Sequence, residues 1–521
     1  MKKKYLNILG ALALSFGFMA CSGSEDDPTK EIEPPKEEVK EDENKSYFYA
    51  NFFGYQMMND AYLWKQDVAQ ALSNWGLYTD PIAETKAVRY KDASGNDIDK
   101  WTMMTDDYAS MVGGTDGEST GTYGCNYKFY LKEQGKDDVV AFVTYTYPGS
   151  PAEKAGLKRG DVVLEIDGKP MNQSNYTDLY YSSSITVGVG KYLNNGTYSL
   201  VQNTYTMNAV GMYEDPVVIT KAFDCGGKKV GYLLYTGFTF ESSLGLIDVC
   251  KQFKQEGISE LILDLRYNGG GYVFTENVLA SMLGPADAVA NGSVLSTEVY
   301  NDDYMAYFKE HNTDLNTYFT TQFKQSHNNK VYNLNTADAN LELNKIYALV
   351  ASGTASAAES ILVCLMPYMD IEVIGEQTHG KYCSGIMQEG KEWYQKNASA
   401  ISKYQELAEW KQYIGGWGIY LMISRYGDKD GNNPCMPDGL TPDVEAVDYF
   451  EEPYQLGDER EAMLHVALQR AGKTDLEPRP ESRSMGMMLP AGKQLPGKQS
   501  PLDGKRIYTG VLKLTLVEFP N

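Results

Sequence analysis

The chain has 521 residues, 42% of them apolar, enough for sizeable cores and for about three or four domains of ordinary size, so a wholly disordered protein is excluded. Its 47 basic residues against 70 acidic ones give a formal charge of -23 with no basic stripe, which argues against a nucleic-acid partner because phosphate binding needs clustered Lys and Arg. HExxH and nucleotide-binding signatures are absent, which removes the zinc-protease and NTPase classes.

Lys2, Lys3 and Lys4 precede an apolar run from Leu6 to Ala20 that is too short to span a bilayer as a mature helix, so residues 1–20 read as a signal peptide. The run ends Phe18-Met19-Ala20-Cys21, which resembles the lipobox of bacterial lipoproteins, with Phe18 where Leu is usual. That resemblance implies a lipid on Cys21, cleavage before it, and a cell-envelope, outer-membrane location facing periplasm or exterior; the alternative is an ordinary secretory peptide with an incidental Cys. Residues 21–46 open Ser22-Gly23-Ser24-Glu25-Asp26-Asp27 and continue in Pro and charge, a composition expected to form a disordered tether. The acidic start resembles the surface-export signals of Bacteroidota lipoproteins and reads equally as a solvated linker. No later segment reads as a transmembrane helix.

From 47 to 112, aromatics at helical spacing, among them Phe53, Met57, Ala61 and Trp64, predict a small helical domain whose rings are core. From 113 to 220 the pattern changes to short strands. Within it Gly149-Ser150-Pro151-Ala152-Glu153-Lys154-Ala155-Gly156-Leu157 predicts a turn and short helix. Val162, Leu164 and Ile166 then share one strand face, and Asp167-Gly168 closes a hairpin. The run resembles a PDZ domain, which takes a peptide as an added strand and holds its terminal carboxylate on backbone amides; the loop at Tyr123-Gly124-Cys125-Asn126 is where the resemblance places that carboxylate.

From 221 to 450, apolar strand-like runs (Val230 to Tyr235, Leu261 to Leu265, Ile346 to Ala351, Ile371 to Gly375) alternate with helical patterns at Ser243 to Glu256 and Ser356 to Met366. Such alternation predicts βαβ crossovers and a mainly parallel sheet, an α/β domain. Stretches near 291–344 and 392–410, polar and Tyr-rich, read as insertions or a lid. Residues 451–521 are expected to be a helix at Asp458 to Arg470 and a tail, and residues 474–521, rich in Pro and Gly, carry no functional signal. Beyond Cys21 the cysteines are Cys125, Cys225, Cys250, Cys364, Cys383 and Cys435, without a CxxC pair or zinc spacing, so buried thiols rather than a metal or redox site are expected.

Three segments carry chemistry. Leu261-Ile262-Leu263-Asp264-Leu265-Arg266-Tyr267-Asn268-Gly269-Gly270-Gly271 is a strand running into glycines that let backbone N–H groups approach a ligand, or a plain strand-to-helix turn. Ala351-Ser352-Gly353-Thr354-Ala355-Ser356-Ala357-Ala358-Glu359 is a tight turn into a helix start, so Ser356 is either a helix cap or a nucleophile beside unpaired amides and a positive helix end. Gly375-Glu376-Gln377-Thr378-His379-Gly380-Lys381 follows the next strand and brings Lys381 to the same end of the sheet, where burial can lower its pKa toward neutrality.

Together these segments resemble the C-terminal processing (tail-specific) peptidases, serine peptidases with a crotonase-like (ClpP/crotonase) α/β core and a PDZ domain, whose motifs DLRxNxGG, (G/S)xASA(S/A)E and GE(x)TxGK stand here in order. Asp438-Gly439-Leu440-Thr441-Pro442-Asp443 fits a late motif of the family. The resemblance implies Ser356 as nucleophile, Lys381 as general base, and Gly270 with the Ala357 amide as oxyanion hole. It also implies polypeptide substrates recognised at C-terminal segments and chemistry without metal or cofactor; it says nothing of oligomeric state. Many members have a Gln four residues after the Lys where this chain has Gly385, and Gln388 is the candidate to replace it as orienting residue through a shifted strand register. His379 offers a Ser/His alternative that no partner pattern supports. Two further readings stand beside the peptidase: a non-catalytic peptide-binding lipoprotein that retains the fold, and a crotonase-like acyl-CoA enzyme, which fails on compartment.

Overall fold

Strong helix formers follow Pro35 with no Pro and a single Gly, Gly54, among them, and the computed structural model of the chain begins its helix α1 (Glu37–Ala61) there. It describes residues 37–193, 197–477, 492–497 and 502–509. The expected tether is therefore already helical over 37–46, whereas the signal peptide, Cys21 and the acidic stretch lie outside the described residues. The chain divides into two units, Met1–Glu43 and Asn44–Asn521; of the first only the opening turns of α1 are described, and all that follows concerns the second. No described helix is long and apolar enough to cross a membrane.

Phe52, Phe53, Met57 and Met58 of α1 are fully buried, as their spacing predicts. Helix α2 (Pro81–Val88), strand β1 (Met103–Thr105) and helix α3 (Tyr108–Thr115) complete the first region. Trp393 packs on Phe52 and Phe53, and Tyr394 on Tyr49, so this part of the stretch expected as an insertion or lid is pinned to α1 by aromatic packing.

The PDZ-like region contains β2 (Cys125–Leu131), β3 (Val139–Thr146), α4 (Pro151–Ala155), β4 (Val162–Ile166), β5 (Ser184–Gly190) and β6 (Asn203–Asn208). Ser150 caps α4 by accepting the Glu153 amide, Gly156 ends it in the left-handed region, and Asp167 and Gly168, both with positive φ, turn β4 back into Lys169–Pro170. Arg159, from the loop after α4, is buried and reaches into the next domain, where it pairs with Asp448 and donates to the Tyr267 hydroxyl at 2.8 Å.

The next domain contains, in order, β7 (Val217–Cys225), β8 (Lys228–Tyr235), α5 (Ser242–Glu256), β9 (Ile258–Asp264), β10 (Gly270–Tyr272), α6 (Val273–Leu283), β11 (Val294–Tyr300) and β12 (Asn316–Tyr318). It continues with β13 (Lys345–Val350), α7 (Ala357–Leu365), β14 (Asp370–Gly375), β15 (Cys383–Glu389), β16 (Gly418–Gly427), β17 (Val444–Glu445) and α8 (Ala462–Arg470). Six strands form a sheet in the order β7-β8-β9-β13-β14-β17, parallel except for β7, as the alternation of elements implied. Helix α7, buried along its whole length and apolar except for Glu359 and Ser360, packs on α6 and on a second sheet that contains β10, β15, β16 and β11.

The tail, expected to carry no functional signal, contributes strands to two sheets. β18 (Gln494–Leu495) adds antiparallel to β2 of the PDZ-like sheet. β19 (Lys505–Ile507) lies between β10 and β15, parallel to both, in the sheet that packs on α7. Period and turn signals do not foretell this, because a three-residue strand inside a Pro/Gly-rich stretch has too few side chains to show alternation.

Candidate active site

Strand β13 ends in a turn that is held from both sides before α7 begins. Thr354 accepts the Ala351 amide at 3.0 Å and donates to the Leu265 carbonyl at 2.8 Å, and the Ala355 amide donates to the Asn268 carbonyl at 3.1 Å. The next residue, Ser356, is forced to φ +65° and ψ -115°, a conformation that costs a side-chain-bearing residue about 1–3 kcal/mol. Its Oγ is buried and has no hydrogen-bond partner. A capping serine would spend that hydroxyl on the helix amides; here Glu359 instead accepts the Ser356 amide at 2.7 Å. The strained backbone and the hydroxyl without a hydrogen bond make Ser356 the candidate nucleophile.

Glu359 also orders the lysine loop. Its Oε2 accepts the Lys381 amide at 3.0 Å as well as that of Ser356, and its Oε1 accepts the Gly380 amide at 2.7 Å and the Thr378 hydroxyl. One buried carboxylate thus holds the backbones of both candidate catalytic residues. Lys381 is fully buried. Its Nζ donates to the Tyr420 hydroxyl at 2.9 Å and lies 5.4 Å from the centre of the Trp101 ring and 5.1 Å from that of Tyr420. Burial lowers its pKa to about 8, because an ammonium in this aromatic enclosure loses its hydration; Asp99 opposes the shift, and Lys505 and Arg506 add to it.

Of the expected oxyanion donors, the Ala357 amide heads α7, where no intrahelical partner exists for it. Gly270 lies against Ser356: a Cβ there would come within 2.9 Å of Ser356 Cβ. Its N–H, however, donates to Asn268 Oδ1 at 2.9 Å, so in this structure Gly270 is a wall of the site rather than an available donor.

Gln388 does not orient the lysine. It sits on β15 with its side-chain amide donating to Glu392 at 3.0 Å, and it lines a cleft of about 630 Å³. The bulge between Ser384 and Gly385 leaves Gly385 where a Cβ would meet the Tyr420 ring at 2.7 Å. Tyr420, from the neighbouring strand β16, supplies the hydrogen-bond contact to Lys381. Nothing in the strand text Gly418-Ile419-Tyr420-Leu421 marks this role; Glu359, by contrast, was visible as the last residue of its motif. His379 packs edge-on to Trp101 and makes no bond to the partnerless Ser356 hydroxyl.

Residues 229–446 match the peptidase family S41, and residues 142–181 match the PDZ domain. A region similar to the S41 peptidases thus follows one similar to a PDZ domain. Among curated proteins it is 30% identical over 174 residues to the "C-terminal processing peptidase, chloroplastic" of Tetradesmus obliquus, across 31% of this chain and 36% of that protein. It is 27% identical over 292 residues to the "Probable CtpA-like serine protease" of Staphylococcus aureus (strain N315), across 55% of this chain and 50% of that one. The chain thus spans between about a third and a half of the length of these relatives. A crystal structure of a candidate S41 protease from Bacteroides fragilis NCTC 9343 superposes with a TM-score of 0.57 at 23% identity, covering 80% of this chain and 96% of that one, a likeness of fold. The S41 match contains Gly270, Ser356, Glu359, Lys381 and Tyr420.

Proposed function

We propose that this chain is a serine endopeptidase of the C-terminal processing type, acting on envelope or extracellular polypeptides near their C-termini, with a core of the crotonase kind. The observation that carries the reading is the strained, partnerless Ser356 hydroxyl sharing the Glu359 clamp with a buried lysine whose pKa is lowered to about 8. Neutral Lys381 takes the proton as Ser356 Oγ attacks the scissile carbonyl carbon, and the oxyanion forms at the head of α7 on the Ala357 amide. Collapse breaks the C–N bond, the departing amine takes the proton back from Lys381, and water then attacks the acyl-serine with Lys381 again as base. The N-terminal residues support anchoring through acylated Cys21 at the outer membrane, which would keep the enzyme beside envelope substrates.

A fluorophosphonate probe should label Ser356 in the purified protein, and Ser356→Ala should abolish both labelling and turnover of unfolded polypeptides. Residual turnover by Ser356→Ala would reject the nucleophile, and folded wild type with neither labelling nor turnover would favour the competing peptide-binding lipoprotein. Cys21→Ala should move the protein from the membrane pellet to the soluble fraction; sedimentation at the wild-type level would reject the anchor.

A further inference from the structure

The glycine-rich approach to the nucleophile already holds a peptide, and it is this chain's own tail. Leu502 lies where a Cβ on Gly237 would come within 2.6 Å of it, and Asp503 lies where one on Gly269 would come within 2.3 Å. A Cβ on Gly270 would meet both the Lys505 carbonyl oxygen, at 2.3 Å, and Ser356 Cβ, at 2.9 Å. A Cβ on Gly504 would be 4.0 Å from Lys381 Cδ and 3.0 Å from the Trp101 ring. The backbone of 502–506 therefore runs over both catalytic residues along a track that only glycine permits. It is held as an added strand, Gly270, Gly271 and Tyr272 of β10 pairing with Lys505, Arg506 and Ile507, and Gly385 of β15 with Ile507. Past Ile507, Tyr508 and Thr509 continue into the 630 Å³ cleft beside β15.

Arg506 shows what the track selects. Its Nε donates to Glu276 at 2.8 Å, its Nη1 to Glu298 and to Ser384 Oγ, each at 2.6 Å, and its Nη2 to Glu276 at 3.2 Å, while the guanidinium carbon lies 4.7 Å from the Tyr426 ring centre. Both carboxylates are buried, and both come from the peptidase domain, on α6 and β11. Without a cation this pocket would enclose two carboxylates, which is strongly unfavourable; a guanidinium matches their geometry with two-pronged hydrogen bonds. Upstream, Gln494 and Leu495 pair with Tyr130 and Phe129 on β2, the strand that directly follows the Tyr123-Gly124 loop of the PDZ-like domain. Two stretches of one tail thus occupy the two places where an extended peptide would be expected.

We propose that residues 502–509 are an intramolecular, substrate-like ligand of the active-site cleft, and that Glu276, Glu298 and Ser384 form a subsite for an arginine side chain, filled in the resting chain by Arg506. Cleavage substrates would be extended segments carrying arginine one residue after the carbonyl that faces Ser356, and they gain access when the tail leaves. The identity of the cleft rests on the peptidase reading; binding of the tail does not.

The test uses the full chain with a site for a specific endoprotease inserted at residues 498–501, cut after folding and diluted. The expected result is release of the 502–521 fragment and a rise of at least tenfold in turnover of arginine-containing peptides. A synthetic Leu-Asp-Gly-Lys-Arg-Ile-Tyr-Thr octapeptide should then inhibit competitively, raising KM without changing kcat, and its Arg→Gln version should bind at least tenfold more weakly. The same octapeptide, fluorescently labelled, is titrated onto cut Ser356→Ala protein, so that arginine-dependent binding is read even if the wild type proves to have no turnover. Wild type that ends at Lys505 while Ser356→Ala stays intact would also support the proposal, since it means the docked bond is cut. A fragment that stays bound through gel filtration with activity unchanged, a protein that melts when the fragment leaves, or an octapeptide bound equally with Gln would each overturn it and make β19 an ordinary strand of the sheet.

Discussion

Two arginines are buried close to the catalytic turn, and their surroundings differ in who supplies the partners. Arg266 donates to Asp264, two residues back at the end of β9, through Nε at 2.9 Å and Nη2 at 2.8 Å, and to Glu461 at 2.7 and 3.0 Å, with Asp448 and Arg159 completing the cluster. The first carboxylate is next to it in sequence and cannot be separated from it without unfolding β9. Arg506 reaches Glu276 and Glu298 across more than two hundred residues of chain, from a short segment that pairs with β10, buries Ile507 in the core and accepts a hydrogen bond from Gln325 at Thr509. The first cluster belongs to the frame; the second consists of a receptor and something it holds. Around the second lie the bare Ser356 hydroxyl and the buried Lys381 amine, which among the described residues has the Tyr420 hydroxyl but no carboxylate as hydrogen-bond partner. Stability is concentrated in one region and given up in the other, as expected where activity needs strained or desolvated groups.

The hardest break is Arg266→Met. It strands Asp264 and Glu461 as buried carboxylates and should cost about 3–5 kcal/mol, seen as a large fall in the urea midpoint or loss of soluble protein. Arg506→Gln should cost less than Arg266→Met, because its carboxylates can regain a cation or proton once the tail is free, and burial already raises the Glu276 pKa. Equal losses for the two would erase the distinction drawn above.

Lys381→Met should go the other way in stability while removing activity. In the unfolded chain a lysine keeps its proton to about pH 10.4, whereas Lys381 in the folded protein loses it near 8. Below pH 8 the folded state carries the full cost of enclosing the ammonium, and that cost fades as pH rises from 8 to 10.4, so this group makes stability increase with pH across that window. Replacing it should stabilise the protein at pH 7 by up to roughly 3 kcal/mol, measured by chemical denaturation, and the gain should vanish above pH 10.4. In wild type, kcat/KM should climb through a midpoint near 8; a flat profile between pH 6 and 9 would remove Lys381 as the base.

Tyr420→Phe removes the acceptor that favours the charged amine, so the activity midpoint should move below that of wild type, with a loss of roughly tenfold in kcat and little change in KM. The smallest effect belongs to Gln388→Ala, whose side-chain amide donates to Glu392 and to the Glu389 carbonyl at the cleft edge; its pH midpoint should equal that of wild type.

Much of this was legible in the linear text. The strand-helix alternation of residues 221–450, the turn glycines of the PDZ-like region, and the motifs with Ser356, Glu359 and Lys381 are local, because each depends on the period or turn chemistry of a few neighbouring residues. Where two strands meet in register is not local. The bulge at Ser384 and Gly385 turns β15 so that Gln388 faces Glu392, and Tyr420, from a strand more than thirty residues on, takes the position beside the lysine. The occupant of the Gly237, Gly269 and Gly270 track was equally hidden: the glycines announce that a backbone comes close, but only the pairing of Lys505 with Gly270 says which one. Sequence by itself determined which groups can do chemistry, since that is a property of side chains and short spacings. Tertiary structure decided which groups face one another and what fills the cleft, since strand register and burial are set by contacts between segments hundreds of residues apart.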